Sequence, residues 1–227
     1  MAITGALAKL KNIVEENEKR GQDRPKAKWL KLNGGQRVTV SFLQELDPDS
    51  DRFSEKAGQA LIAMEHTNPD NFRKKALCTL EDSGQCYGCE MAQQYPGVGW
   101  KSRARLYVNV LAEDGENDPY VAVLSQGTSE KSIAPALLEY AEDNGTITDV
   151  KFGLKRSGTG TATGYTLMPK SGTVGPDLDG LELFDLKGSC TWTVEYDKQK
   201  EYYGSYSPKE EESEAPPEDT SSSEVDW

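Results

Sequence analysis

The sequence has little histidine, little cysteine and no long apolar run. It contains one histidine and four cysteines in 227 residues. No stretch of about 18 apolar residues is present, so no transmembrane helix is expected. The first residues, from Met1 to Ala6, lack a charged segment followed by an apolar one, so no signal peptide is predicted. A mean hydropathy of -0.69 predicts that a good part of the chain is loop or unstructured.

The four cysteines also bear on the cellular compartment. Without a secretion signal, their spacing fits a reducing cytosol and a metal site better than a set of disulfides. We therefore expect a cytoplasmic protein.

One cluster uses the only histidine and three of the cysteines. His66, Cys78, Cys86 and Cys89 follow the pattern H-x11-C-x7-C-x2-C. Cys3His is a standard tetrahedral ligand set for structural zinc, and a C-x2-C pair can turn back onto one metal. We predict one structural Zn2+ at these four residues. Cys190 is the alternative fourth ligand, although its apolar strand-like surroundings are more typical of a core residue.

No catalytic constellation is found. A zinc deaminase needs His-x-Glu and Pro-Cys-x-x-Cys, but Thr67 and Asn68 follow His66, and Gln85 precedes Cys86. A Ser/His/Asp set is impossible if His66 is a metal ligand. The glycine-rich stretch 158–164 lacks the Gly-Lys-Ser/Thr of a phosphate loop. We therefore predict no catalytic residues and no enzyme activity.

Charge is distributed unevenly along the chain. The formal net charge is -12, but residues 207–227 alone hold eight acidic residues and one lysine. Residues 1–46 hold nine basic and five acidic residues. A basic front and an acidic tail indicate a protein that interacts with nucleic acid.

Hydrophobic periodicity predicts short strands and few helices. Helical spacing predicts helices at 4–20 and 129–143, with a linker at 21–28. We predict a hairpin that joins 29–32 to 37–43 through the turn 33–35. Loops are expected at 47–58 and, as a metal-bound insertion of little regular structure, at 67–99. Further strands are predicted at 103–111, 120–124, 150–156, 164–168 and 190–196.

Many short strands with an inserted metal loop favour a small β-barrel. The best fit is a mainly β fold, an oligonucleotide-binding (OB) barrel with a zinc subdomain at about 60–100 and one or two helices. We predict an N-terminal arm at 1–24, the OB-fold core at 25–206 and a disordered acidic tail at 207–227.

Basic and aromatic residues alternate in three segments of the predicted sheet. In a strand, Lys101, Arg103, Arg105 and Tyr107 share one face, where cations meet phosphates and rings stack on unpaired bases. An ordinary solvent-facing basic surface is the alternative. The predicted DNA-binding residues are Lys31, Arg37, Trp100, Lys101, Arg103, Arg105, Tyr107, Phe152, Lys155, Arg156 and Tyr165.

The acidic tail ends in Glu224, Val225, Asp226 and Trp227. An apolar pair among carboxylates predicts a docking element for a partner protein. The carboxylates would either repel competitors of the basic DNA groove or occupy that groove themselves. The alternative is a tail that serves only solubility.

The order of these features resembles the T-even-phage-type single-stranded DNA-binding (helix-destabilising) protein family. The similarity rests on the segment Trp29-Leu-Lys-Leu32, the strand ending at Leu43, the His–Cys–Cys-x-x-Cys order, and the basic strand that ends in Tyr-Val-Asn-Val-Leu111. It covers roughly residues 25–125 by motif and the remainder by layout. The N-terminal arm is a departure, because it carries mixed charge and is not a compact basic run.

The resemblance implies an OB-fold core and cooperative coating of single-stranded DNA in phage replication, recombination and repair, within the cytoplasm of the bacterial host cell. It implies that His66, Cys78, Cys86 and Cys89 bind zinc. It also implies self-association through the N-terminal arm and recruitment of replication proteins (a polymerase, helicase or primase) through the tail. The alternative hypothesis is a zinc-stabilised protein–protein adaptor of a replication or transcription complex that does not bind DNA.

Overall fold

The computed structural model describes residues 27–204 and residue 206. Seven strands lie in one antiparallel sheet: β1 (Arg37–Phe42), β2 (Leu61–Asn68), β3 (Asn71–Leu77), β4 (Arg103–Glu113), β5 (Tyr120–Gly127), β6 (Phe152–Ser157) and β7 (Gly164–Pro169). The helices are α1 (Leu80–Ser83), α2 (Tyr87–Gln94), α3 (Ala134–Asn144), α4 (Leu186–Cys190) and α5 (Tyr196–Tyr203). The mainly β prediction is therefore confirmed.

The long strand β4 organises the sheet. The strand order is β3-β2-β4-β1-β6-β7, and β5 pairs with β4 as well. One edge of β4 pairs first with β2, at Arg103 to Tyr107, and then with β1, at Val110 to Glu113. A pair that closes the sheet into a barrel is not among the described pairings, so the OB barrel remains a prediction.

The two faces of the sheet are covered differently. Alternate residues of the central strands, among them Val40, Val110 and Phe152, face the main hydrophobic core beneath α3. On the opposite face a crossing segment, residues 184–190, lies over the middle of β4, where Phe184 hydrogen-bonds to Asn109. Leu186 and Cys190 of this segment pack with Tyr107. Both ends of β4 extend beyond this cover.

Several predicted elements differ from the structure. Residues 29–32 do not form a hairpin with 37–43, because both edges of β1 are occupied by β4 and β6. Instead the backbone of Lys28 and Leu30 hydrogen-bonds to Val123 of β5. Residues 67–99 are not poor in regular structure, since they contain β3, α1 and α2.

The predicted strand at 190–196 is also wrong. This stretch connects α4 to α5, and its apolar residues pack into two different clusters, Cys190 beside Tyr107 and Val194 beside Trp100. The helix predicted at 129–143 is confirmed in part, as α3 begins at Ala134. The described part of the chain has five α-helices, more than the one or two expected.

Some predictions fall outside the described residues. These are the helix at 4–20, the arm at 1–24, and the tail at 207–227 with its terminal docking residues. Across residues 27–204 and 206, no helix combines the length and the apolar character needed to cross a bilayer.

Candidate metal centre and basic groove

The four predicted metal ligands come together in one cluster. The ligand atoms of His66, Cys78, Cys86 and Cys89 all lie within 4.8 Å of one another. The Sγ atoms of Cys78 and Cys89 are 3.6 Å apart, and Cys89 Sγ is 3.3 Å from His66 Nε2. His66 and Cys86 are almost fully buried.

Local structure explains how distant residues meet here. The β2–β3 hairpin pairs His66 with Ala76, two residues before Cys78. Cys86 is the N-cap of α2, and Cys89 lies in the first turn of that helix. Gly88 allows α2 to approach the imidazole closely, because a Cβ atom at this position would lie 2.4 Å from His66 Cγ.

Hydrogen bonds hold the cluster in position. His66 Nδ1 lies 2.7 Å from the carbonyl oxygen of Trp100, to which it donates, so Nε2 is free to face the thiols. The buried Gln199 of α5 accepts from the backbone N–H of Tyr87 and donates to Thr79 Oγ1. Helix α5 is thus hydrogen-bonded to both ends of the segment 79–87, which lies between Cys78 and Cys89.

The shifted pKa values of the cysteine thiols are compatible with the binding of a cation. Burial alone would raise the pKa of Cys86, but hydrogen bonds from His66 and from backbone N–H groups outweigh it and lower this pKa to about 6. Burial and the neighbouring sulfur atoms raise the pKa of Cys89 to about 12. A bound cation replaces the protons of such crowded thiols, since the thiolate is the ligand.

The geometry fits a tetrahedral site. With Zn–S bonds of about 2.3 Å, sulfur ligands of a tetrahedron are about 3.8 Å apart. The Cys78–Cys89 separation of 3.6 Å is close to this value, and four N and S donors would fill every position, as in structural sites. Cys190 is not a member, since it lies against Leu186 and Tyr107. The cluster can therefore hold a metal ion, and the alternative fourth ligand is not needed.

A groove opens directly after the metal loop. It has a volume of about 1020 Å³ and lies along β2, β3 and the start of β4. Its charged lining residues are the cations Lys75, Lys101, Arg103 and Arg105 and the single acid Glu65. We refer to this cavity as the basic groove.

The one acidic residue that lines the basic groove is buried and forms ion pairs with two of the groove's cations. Glu65 is 5% exposed, and its carboxylate lies 3.2 Å from Lys75 Nζ and 3.6 Å from Arg105 Nε. Tyr107 donates its hydroxyl to Glu65 Oε1 at 2.7 Å. Lys101 and Arg103 are exposed, and within the described chain neither forms an ion pair. The net charge of the groove is therefore positive.

Two residues of the basic groove were missed from the sequence. Phe72 on β3 is 78% exposed, and Lys75 lies on the same strand. The basic and aromatic stretch from Phe72 to Lys75 was a usable signal. The irregular insertion predicted at 67–99 leaves no strand on which these residues could share a face.

Three predicted DNA contacts are wrong in this conformation. Trp100, Tyr107 and Phe152 are each 0% exposed. Trp100 packs against Tyr203 beside the metal cluster, Tyr107 lies under the crossing segment, and Phe152 packs on Phe42 in the main core. Their rings are enclosed by protein and cannot stack on a base.

The other predicted contacts lie away from the basic groove. In the strand register, Arg37 of β1 lies opposite Lys155 of β6, and Arg156 of β6 lies opposite the half-buried Tyr165 of β7. Arg156 donates to the carbonyl of Leu32, next to the exposed Lys31, and so has a structural partner. The sequence predicts DNA binding by all these residues, but in the structure none of them lines the cavity that holds Lys101, Arg103 and Arg105.

Comparisons with protein-family models, with curated proteins and with solved structures found no match to this chain.

Proposed function

We propose that this protein binds single-stranded DNA without sequence preference, and that the basic groove is the binding site. The observation that supports this proposal is the set of four cations around one neutralised carboxylate, with the exposed ring of Phe72 at the same cavity. Cations neutralise phosphates, and an exposed aromatic ring stacks on any unpaired base. Among the described residues, Lys101 and Arg103 have no acidic partner to release before they bind phosphate.

In this proposal the metal is a structural Zn2+ that holds one wall of the groove. His66, Cys78, Cys86 and Cys89 would bind it, and its contribution would be to fix the loop between β3 and β4. Trp100, near the end of that loop, accepts a hydrogen bond from His66 and precedes Lys101. The metal therefore supports the position of groove residues and takes no part in chemistry.

The wider role follows from the resemblance. We propose an OB-type core that coats and protects single-stranded DNA during phage replication, recombination and repair in the cytoplasm of a bacterial host. The acidic tail would recruit replication proteins, and the N-terminal arm would support self-association. This role makes the protein a binding protein and not an enzyme.

Equilibrium titration with oligothymidylate tests the groove. Replacing Lys101 and Arg103 by Gln should weaken binding at low salt and reduce the slope of log K against log salt by about 1.4, at about 0.7 per phosphate contact. The matched control is Lys198→Gln with Lys200→Gln, which removes two exposed lysines from α5. If the wild-type protein does not bind oligothymidylate at low salt, the proposal is excluded and the adaptor hypothesis is favoured.

The stacking residue has its own test. Phe72→Ala should weaken binding by about 1–3 kcal/mol, the range for one stacked base, without a loss of thermal stability, because the ring is 78% exposed. Leu138→Ala is the control, since Leu138 is an exposed apolar residue of α3. If the two variants bind oligothymidylate with equal affinity, Phe72 is not part of the binding site.

A further inference from the structure

A second group of cations lies on the same face of the sheet as the basic groove. Arg37 of β1 is directly opposite Lys155 of β6, and both side chains are exposed. Lys170, just after β7, donates from Nζ to Thr39 Oγ1 at 2.7 Å. Gly153 is opposite Thr39 and has no side chain to obstruct this lysine. We call Arg37, Lys155 and Lys170 the distal cations.

This arrangement is unfavourable without an anion. Like charges directly opposite each other in an antiparallel pair destabilise a sheet, and Arg37 and Lys155 form such a pair. In the described part of the chain, none of the distal cations belongs to an ion pair. The neighbouring acid Glu113, opposite Thr39, is already paired with Lys151 at 2.6 Å. A bound polyanion would remove the repulsion between Arg37 and Lys155.

The distal cations are far from the basic groove. Arg103 and Glu113 are the two ends of β4, about 33 Å apart at about 3.3 Å per residue. Arg103 belongs to the groove, and Glu113 is opposite Thr39 beside the distal cations. Residues of β4 at odd positions, including Arg103, Arg105 and Glu113, share one face.

The crossing segment separates the two basic surfaces. The amide of Asn109, midway along β4, donates from Nδ2 to the carbonyl of Phe184 and accepts from its N–H, both at 3.0 Å. Leu186 and Cys190 then cover Tyr107. A DNA strand that contacts both surfaces must therefore pass over or around this segment.

We propose that the distal cations form a second phosphate-binding site, so that a long enough single strand is held at both ends of β4. This inference rests on the proposed function, because the basic groove supplies the first contact. Two linked contacts on one strand act at a high effective concentration, which raises affinity without any new type of interaction. A strand too short to span the sheet gains nothing from the distal cations.

The test compares two lengths of oligothymidylate. The variant Arg37→Gln, Lys155→Gln, Lys170→Gln is titrated with one of about 4 nucleotides and one well beyond about 16 nucleotides, which bracket the range of OB-fold site sizes. The control is Arg52→Gln, Lys198→Gln, Lys200→Gln, since these three side chains are exposed and lie outside both basic surfaces and the crossing segment. Both proteins lose three positive charges, so a general effect of net charge is matched.

The expected result depends on length. The variant should bind the short oligomer as the wild type does. It should lose at least about tenfold in affinity for the long one, and its salt slope should fall by about 2. An unchanged affinity for the long oligomer, or an equal loss at both lengths, would overturn the inference. Failure of the wild-type protein to bind either oligomer would instead reject the proposed function.

Folding of the triple variant is checked by thermal unfolding. Because it removes a like-charge pair, its midpoint should equal or exceed that of the wild type. If the triple variant does not fold, Lys170→Gln alone serves, as this exposed side chain makes one hydrogen bond. It should reduce the salt slope for the long oligomer by about 0.7, and an unchanged slope would overturn the inference.

Discussion

The imidazole of His66 donates a hydrogen bond from Nδ1 to the carbonyl oxygen of Trp100 at 2.7 Å. One end of this contact belongs to the metal cluster, and the other directly precedes Lys101 of the basic groove. The ring of Trp100 is fully buried beside Tyr203. The cluster and the groove are joined through this peptide and through β2, where Glu65 and Thr67 of the groove flank His66. A disturbance of the cluster is therefore expected to move the groove.

Metal content tests the cluster itself. We expect one zinc per chain by elemental analysis, and Cys89→Ser should lose both metal and stability. A loss of about 3 kcal/mol would lower the unfolding midpoint by about 6–12 °C for a chain of this size. Cys190→Ser should keep the metal, because Cys190 lies outside the cluster. A Cys89→Ser protein with full metal content would contradict the ligand assignment.

Gly88 offers a steric test that changes no ligand. A Cβ atom there would lie 2.4 Å from His66 Cγ and 2.7 Å from Cδ2. Alanine otherwise favours a helix by about 1 kcal/mol, so a loss of metal affinity and stability in Gly88→Ala must come from displacement of the imidazole. Gly127→Ala is the matched control, since a Cβ at Gly127 meets nothing within 4 Å. Equal metal affinity in the two variants would show that the ring is not fixed by this contact.

The sequence predicts best the elements that have a local alternation of buried apolar residues. Strand β4 was expected at 103–111 and spans Arg103–Glu113, because Leu106, Val108 and Val110 alternate toward the main core. Strand β3 lacked such a pattern, since Ala76 is its only buried residue. The partner of residues 29–32 could not be found locally, because Val123 lies some ninety positions further along the chain.

The buried hydroxyl of Tyr107 is expected to stabilise the fold. It donates to Glu65 and accepts from Lys75 Nζ at 2.9 Å. Tyr107→Phe should lower the free energy of unfolding by about 1–3 kcal/mol, because it leaves a buried carboxylate with one partner fewer. Tyr196→Phe should cost less, since its bond to Glu90 is exposed. Chemical denaturation of both variants measures the difference, and equal losses would contradict a special role for burial.

The candidate site was predictable where it depended on ligand chemistry. His66 and the three cysteines were identified from spacing alone, and the structure brings them together. The DNA contacts depended on exposure, which a sequence shows only through alternation. Tyr107 was expected beside Arg105 on a DNA surface and does share its face, but the crossing segment covers that part of the face. The contact between Tyr107 and the crossing segment joins residues that are far apart in the sequence, so no local pattern predicts it.

The acidic tail gives a further prediction that rests on charge alone. Removing residues 207–227, which carry eight acidic residues and one lysine, should tighten DNA binding at low salt. The gain should shrink as salt is raised, because screening weakens competition between carboxylates and DNA. A tail with its acids changed to amides is the control for length. Unchanged affinity in both proteins would leave only the docking role of Glu224, Val225, Asp226 and Trp227.

A crystal structure of the protein with a bound oligothymidylate tests the central claim most directly. The account predicts phosphates within hydrogen-bonding distance of Lys101 and Arg103 and a base stacked on Phe72, with the metal cluster intact beside them. A strand bound on another surface, with the basic groove empty, would contradict it.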